Sequence, residues 1–258
     1  MTTLITFEQA DGIARLTLDR PQKLNAIDID MLDAIDRHLD TVAASDSVRV
    51  LIVTGAGERS FCVGADIGAW SALEPLDMWR HWVPRGSAVL AKLARLRQPT
   101  IAALNGFTFG GGLELALACD LRIAADHALF AAPEVKIGML PGWGGTGRLV
   151  ATIGPARAKQ MIFTGEQIDS ERGLLWGLIN ERVPGNALGA RTEEIAHVIA
   201  ANAPISVQLA KAAIDGHITG ERTVALEAMG GALAALTADG REGIQAFREK
   251  RPPAFRGK

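Results

Sequence analysis

The sequence predicts a layered α/β core followed by an all-helical tail. Apolar, β-branched runs alternate with helix-period segments as far as about Pro184, and beyond that point only helix-period segments remain. The bulk is sufficient as well: 258 residues, 48% of them hydrophobic, can bury one substantial core.

Taken in chain order, IARLTLD at 13–19 alternates apolar and polar residues and predicts a strand. Residues 28–43 predict a helix, with Ile29, Leu32, Ile35, Leu39 and Val42 at steps of three and four and five aspartates on the other faces. VRVLIVTG at 48–55 predicts a second, mostly buried strand. Residues 70–98 are helix-like but broken by Pro75, Pro84 and Gly86. TIAALN at 100–105 and LRIAA at 121–125 predict strands flanking a glycine turn and a helix that runs to about Ala118. Helices are expected at 187–201, 204–216, 221–237 and 239–250, with Asn202 as the cap ahead of Pro204. The division expected is a core at 1–186 that carries the site and a helical assembly region at 187–258.

A formal charge of −2 removes any general electrostatic case for nucleic acid or anionic membranes. The opening MTTLITFEQADG lacks a basic and then apolar leader, and no run has the roughly 18 apolar residues of a span, so a cytoplasmic protein is expected. Cys62 and Cys119 stand far apart without C-x-x-C spacing and read as reduced structural thiols. The five histidines show no ligand spacing, no serine lies in G-x-S-x-G, and no G-K-[ST] follows a glycine cluster. TGAG at 54–57 lacks the third glycine and is followed by ERSFCVG, which does not open a helix, so a dinucleotide turn is rejected.

Two segments remain. FGGGLELALACD at 109–120 and AAPEVKIGMLPGWGGTGR at 131–148 each set one glutamate, Glu114 or Glu134, in apolar sequence beside glycines. Glycine lets main-chain N–H groups approach a ligand, and a helix start presents unpaired N–H groups to an anion. A close-packed corner with a first-turn acid favoured by the helix dipole explains the first segment alone equally well. Two partly desolvated carboxyls beside an oxyanion site would instead make a proton-transfer centre, because burial moves their pKa toward neutrality.

The sequence resembles the crotonase, or enoyl-CoA hydratase/isomerase, superfamily through five motifs in order: RPQKLNAID (20–28), FCVGADI (61–67), IAALNGFTFGGGLELALACDLRIAA (101–125), APEVKIGMLPGWGGTGRL (132–149) and EGIQAFREKRPPAF (242–255). The resemblance implies a crotonase-like spiral of ββα units with a C-terminal helical trimerisation region, assembled as a homotrimer or homohexamer. It implies an acyl-CoA substrate, with coenzyme A part of that substrate and no metal or other cofactor. The main-chain N–H groups of Ala65 and Gly111 would hold the thioester oxygen. Glu134 would exchange the α-carbon proton, Glu114 would hold and help deprotonate water, and the Gly142 main chain would help position it. Lys23, Leu24, Val63, Ala65, Asp66, Ile67 and Phe255 would contact coenzyme A, Phe255 from a neighbouring subunit or its own.

Trp143 departs from the small residue common in the hydratases, and Trp70, Met78, Trp79 and Trp82 fall where the superfamily lines its acyl pocket. An aromatic, branched or cyclic acyl group is therefore a minority expectation beside simple packing. The absence of tyrosine disfavours members that use a catalytic tyrosine. Double-bond isomerisation and thioester hydrolysis remain alternatives, as does a dead-site homologue. RNA binding, known among hydratase relatives through a lysine-lined helix, is disfavoured because the helix at 28–43 carries five aspartates and, besides His38, only Arg37 as a basic residue.

Overall fold

The patterned runs form two sheets with helices packed around them. The computed structural model describes residues 4–216 and 221–258, with the side chains of 221–228 left aside. His217, expected to be an ordinary structural histidine, lies outside the described residues.

The strands are β1 (Ile5–Ala10), β2 (Ile13–Leu18), β3 (Val50–Gly55), β4 (Ser60–Cys62), β5 (Thr100–Leu104), β6 (Phe107–Phe109), β7 (Leu121–Ala125), β8 (Leu129–Ala131), β9 (Ile168–Asp169) and β10 (Glu181–Val183). The larger sheet runs β1-β2-β3-β5-β7-β10 and the smaller β4-β6-β8-β9. β1 and β2 form a hairpin closed by Asp11 and Gly12, with φ 50° and 80°, the two positive values that a tight two-residue hairpin turn needs. From β2 onward the larger sheet is parallel, and β3 and β5 are buried on both faces, as their continuous apolar runs predict.

The smaller sheet positions the site. β4, β6 and β8 are parallel, so their carboxyl ends lie side by side, delivering Val63–Asp66, Gly110–Gly112 and Pro133–Glu134 to one place. The helix Gly111–Leu117 lies so close to β4 that a Cβ on Gly112 would stand 2.1 Å from the Cys62 carbonyl oxygen. Gly110, which caps this helix, has φ +52°, a value that admits glycine readily.

The helix Ile29–Ala44 starts at Asp28, whose side chain accepts the Met31 amide at 2.9 Å. Three of its acids are not bare: Arg85 and Lys92 from the helix Val83–Ala94 pair with Asp33, Asp36 and Asp40. Those cations hold the Asp36 carboxyl below its usual range, more than offsetting burial, the largest single influence on it. The interrupted stretch at 70–98 resolves into the short helices Ile67–Trp70 and Pro75–Asp77, a π-helical turn Met78–Trp82, and then Val83–Ala94.

In the C-terminal part, Leu188–Ala200 packs on β3, β5 and β7 and so covers the larger sheet. The following helices, Pro204–Asp215, Glu221–Leu236 and Ala238–Glu249, pack on one another in sequence. Asn202 does not cap Pro204–Asp215: Ala203 holds that position, and the Asn202 side-chain Nδ2 donates back to the Val198 carbonyl at 3.1 Å, completing the preceding helix. Lys211 ties the tail to the core through Asp120, at 2.7 Å, and the Gln98 carbonyl, at 3.2 Å. Among the described residues, no helix is long and apolar enough to cross a membrane.

Candidate active site

Glu114 sits in the first turn of Gly111–Leu117 with only 4% of its surface exposed. Its Oε1 accepts two main-chain N–H groups, from Trp143 at 2.7 Å and from Gly145 at 2.7 Å. Burial raises its pKa, while the amides of Gly145, Trp143 and Gly142 and the nearby Arg148 charge pull it back toward the ionised form.

Glu134 opens the turn Glu134–Ile137 directly after β8. Its Oε2 is buried with no hydrogen-bond partner among the described residues, a costly arrangement that structural packing alone does not explain. Burial pushes its carboxyl up to about 7, a backbone N–H opposes this, and the charge of Glu114 adds to the rise.

Both carboxyls line one cavity of about 280 Å³, together with Val63, Gly64, Ala65, Gly110, Gly111 and Gly142. Its apolar wall comes from Ile67, Trp70, Met78, Trp82, Val83 and Trp143. The amides of Ala65 and Gly111 converge beside it: a Cβ on Gly111 would lie 3.3 Å from the Ala65 nitrogen, and a Cβ on Gly64 would lie 3.0 Å from the Gly111 nitrogen. Such a pair of N–H groups can receive an oxygen on which negative charge develops. The cavity is largely apolar with a few convergent polar groups, as small-molecule sites are.

Of the residues expected at coenzyme A, Val63, Ala65 and Ile67 line this cavity. The Asp66 carboxylate instead accepts Arg20 at 2.6 Å and caps Ile67–Trp70 through the Gly68 amide at 2.9 Å. The Lys23 charge acts on Asp66, and the Leu24 carbonyl accepts the Val63 amide at 3.2 Å, so the 20–28 loop lies beside the site without lining the cavity. Ile27 joins it there by bridging to Ala65. Phe255 is not brought to the cavity within this chain: its ring packs toward Gly243 and its carbonyl accepts Arg49 at 3.0 Å.

Arg148 was not singled out by the sequence, yet its guanidinium donates to the Trp143 carbonyl at 2.8 Å and fixes the 142–145 turn that presents amides to Glu114. An arginine one turn into a helix gives no sign of this by itself. Trp79, expected near the acyl pocket, is 71% exposed and does not line it. Cys62 and Cys119 are free and buried, and burial pushes both thiols up to about 12, which leaves them inert. Among the described residues, no group of three or more histidine, cysteine, aspartate or glutamate side chains is placed to hold a metal ion.

A family model described as enoyl-CoA hydratase/isomerase matches residues 8–258. The short-chain-enoyl-CoA hydratase of Clostridium acetobutylicum is 39% identical, over 96% of this chain and 95% of that protein. The crotonyl-CoA hydratase of Syntrophomonas wolfei is 38% identical over 97% of both. The (E)-benzylidenesuccinyl-CoA hydratase of Thauera aromatica is 37% identical over 98% of this chain and 99% of its own. Among solved structures, an enoyl-CoA hydratase from Bacillus anthracis superposes with a TM-score of 0.96 at 36% identity, covering 99% of this chain and all of that one.

Proposed function

Because the chain belongs to the enoyl-CoA hydratase/isomerase family and has its crotonase fold, we propose that it catalyses the reversible hydration of a 2-enoyl-CoA to a 3-hydroxyacyl-CoA. The observation that carries this reading is the shared cavity, in which two acids face the paired amides of Ala65 and Gly111.

The thioester oxygen accepts both amides, which stabilise the enolate as charge moves onto it. Each such donor contributes about 2.7 to 4 kcal/mol in comparable sites. Glu114, anchored through Oε1, keeps its second oxygen for water and takes the proton as the water oxygen bonds to the β-carbon. Glu134, poised near neutrality, gives its proton to the α-carbon. H and OH are thereby added across the double bond, the proton left on Glu114 returns to Glu134 by way of solvent to reset the pair, and the reverse steps run the elimination. Coenzyme A belongs to the substrate, its thioester end entering past Val63, Ala65 and Ile67, and no further cofactor takes part.

The anchoring of Glu114 favours hydration over double-bond migration, which needs the Glu134 proton exchange alone. Exposed Ile214, Met229, Leu233, Leu236 and Phe247 on the C-terminal helices support a homotrimer or homohexamer. Two free, buried thiols suit the reducing cytoplasm. Crotonyl-CoA in labelled water tests the reaction: label is expected on the β-carbon hydroxyl and the α-carbon, with the rate lost in folded Glu114→Gln and Glu134→Gln. Wild-type rates in both variants, or free thiol as the product, would remove the reading.

A further inference from the structure

Trp143 occupies an unusual place in the cavity. Its indole reaches from the glycine turn to the helix Val83–Ala94. At one edge, a Cβ on Gly111 would meet Cζ3 at 2.8 Å and Cε3 at 3.0 Å; at the other, a Cβ on Gly86 would meet Nε1 at 2.1 Å and Cε2 at 2.2 Å. Only the missing side chains at positions 86 and 111 leave room for the ring. Trp82, brought in by the π-helical turn, backs it at 5.7 Å between ring centroids, and both tryptophans are buried.

The ring is held as well as packed. The Trp143 amide donates to Glu114 and its carbonyl accepts Arg148, so a rotation of the backbone at this residue would break the anchor of a site carboxylate. Swinging the indole alone would drive it into Gly86 or the Gly111 turn. A wall this rigid does not retreat before a longer ligand. The cavity it lines, about 280 Å³, lies at the small end of ligand sites.

On the reading of the site given above, we propose that Trp143 is the specificity-determining residue that ends the acyl pocket, restricting the enzyme to short 2-enoyl chains, with Gly86 as the seat that lets the indole stand there. An acyl chain fixed at its thioester oxygen by Ala65 and Gly111 enters the cavity beside the indole, which walls it from the Gly111 turn to Gly86. Chains longer than four carbons, and rings attached at the β-carbon, find the space taken.

Binding separates this inference from the reaction. Affinities for the unreactive butyryl-CoA and octanoyl-CoA are measured by calorimetry, and kcat/KM for crotonyl-CoA, 2-octenoyl-CoA and cinnamoyl-CoA by absorbance, on the wild type and on Trp143→Ala, Trp143→Phe, Gly86→Ala and the Gly86→Ala/Trp143→Ala pair. The wild type is expected to favour the four-carbon member of each set. Four buried methylenes can each add about fourfold in affinity, so in Trp143→Ala the octanoyl-to-butyryl affinity ratio should rise by at least about tenfold, with Trp143→Phe between. The ratio is internal to each protein, so a general loss from a weakened Glu114 anchor does not move it.

Gly86→Ala should weaken butyryl-CoA binding and crotonyl-CoA turnover when the indole is present and have little effect when it is absent, since the added methyl then enters vacated space. An unchanged length ratio in folded Trp143→Ala, a wild type that binds octanoyl-CoA or hydrates cinnamoyl-CoA as well as the short members, or equal effects of Gly86→Ala in both backgrounds would each overturn the proposal. Short-chain binding without turnover in the wild type would overturn the hydratase reading and leave the pocket boundary standing.

Discussion

Gly145 holds Glu114 in two ways at once. Its amide donates to Oε1 at 2.7 Å, and its missing side chain leaves the space that the carboxylate fills, since a Cβ there would stand 2.5 Å from the Glu114 Cγ. Gly145→Ala should therefore displace the acid while keeping its chemistry, lowering kcat for hydration by roughly 10²- to 10⁴-fold. Gly147→Ala, two residues on in the same helix with nothing within 4 Å of the new methyl, is the matched control and should leave kcat unchanged.

Glu134 should impose the same pH limb on both directions of the reaction. Adding water involves no net proton, and the two acids together carry one proton whether the enzyme starts from the enoyl or the hydroxyacyl thioester, so kcat/KM for hydration and for dehydration should both fall as pH rises through about 7. Initial rates in both directions between pH 5 and 9 would show the shared limb, and profiles that stay flat through this range would contradict it.

The same carboxyl should cost stability above neutrality. Its folded pKa is raised from 4.5 to about 7, so the native state binds the proton more tightly, and the resulting stabilisation, full below the unfolded value, is lost as pH rises through about 7. Glu134→Gln removes that dependence. Relative to the variant, the wild type should lose up to about 3 kcal/mol between pH 5 and pH 8. Urea unfolding of both proteins at the two pH values measures it.

Gly111→Val should abolish turnover without unfolding the chain as a whole. Its Cβ would lie 2.8 Å from the Trp143 ring and 3.3 Å from the Ala65 nitrogen, crowding the amide pair against the indole. A loss of at least about 10²-fold is expected. Circular dichroism would show the fold retained and calorimetry would show acyl-CoA binding lost.

Lys211→Met tests the attachment of the helical tail. The ammonium is nearly buried and bonds Asp120 and the Gln98 carbonyl, while Thr100 supplies Asp120 with two further donors at 2.7 and 3.0 Å. The variant should be destabilised by about 1 to 3 kcal/mol, seen as a lower urea midpoint. kcat below the unfolding transition should stay the same, because these groups lie away from the cavity.

Both acids could be found in the sequence because a glutamate in an apolar run beside glycines is an exception to ordinary patterning, and the exception marks desolvation. The strands β2, β3, β5 and β7 and the helix at Ile29–Ala44 were legible in the sequence, whereas β1, as long as β2 and β3, was not read. Strands such as β4, β6, β8 and β9 were not, because two or three residues carry no period to detect, although they are the ones that assemble the site. The anchors of Glu114 escaped for a different reason: main-chain N–H groups at Trp143 and Gly145 are donated by every non-proline residue, and only folding aims them. Asn202 failed as a cap because Pro204 fixes the turn through Ala203, leaving the asparagine amide to close the helix behind it.

The two amides at the head of the cavity belong to residues 65 and 111 only as links of the backbone, at the ends of adjacent strands β4 and β6. A codon change to anything but proline alters what hangs from the chain and leaves its N–H in place, so the donor persists whatever small side chain stands at position 65. Alanine scanning passes over it in silence. Replacing the peptide link by an ester, through semisynthesis, is the substitution that exchanges the N–H for an oxygen and keeps the side chain.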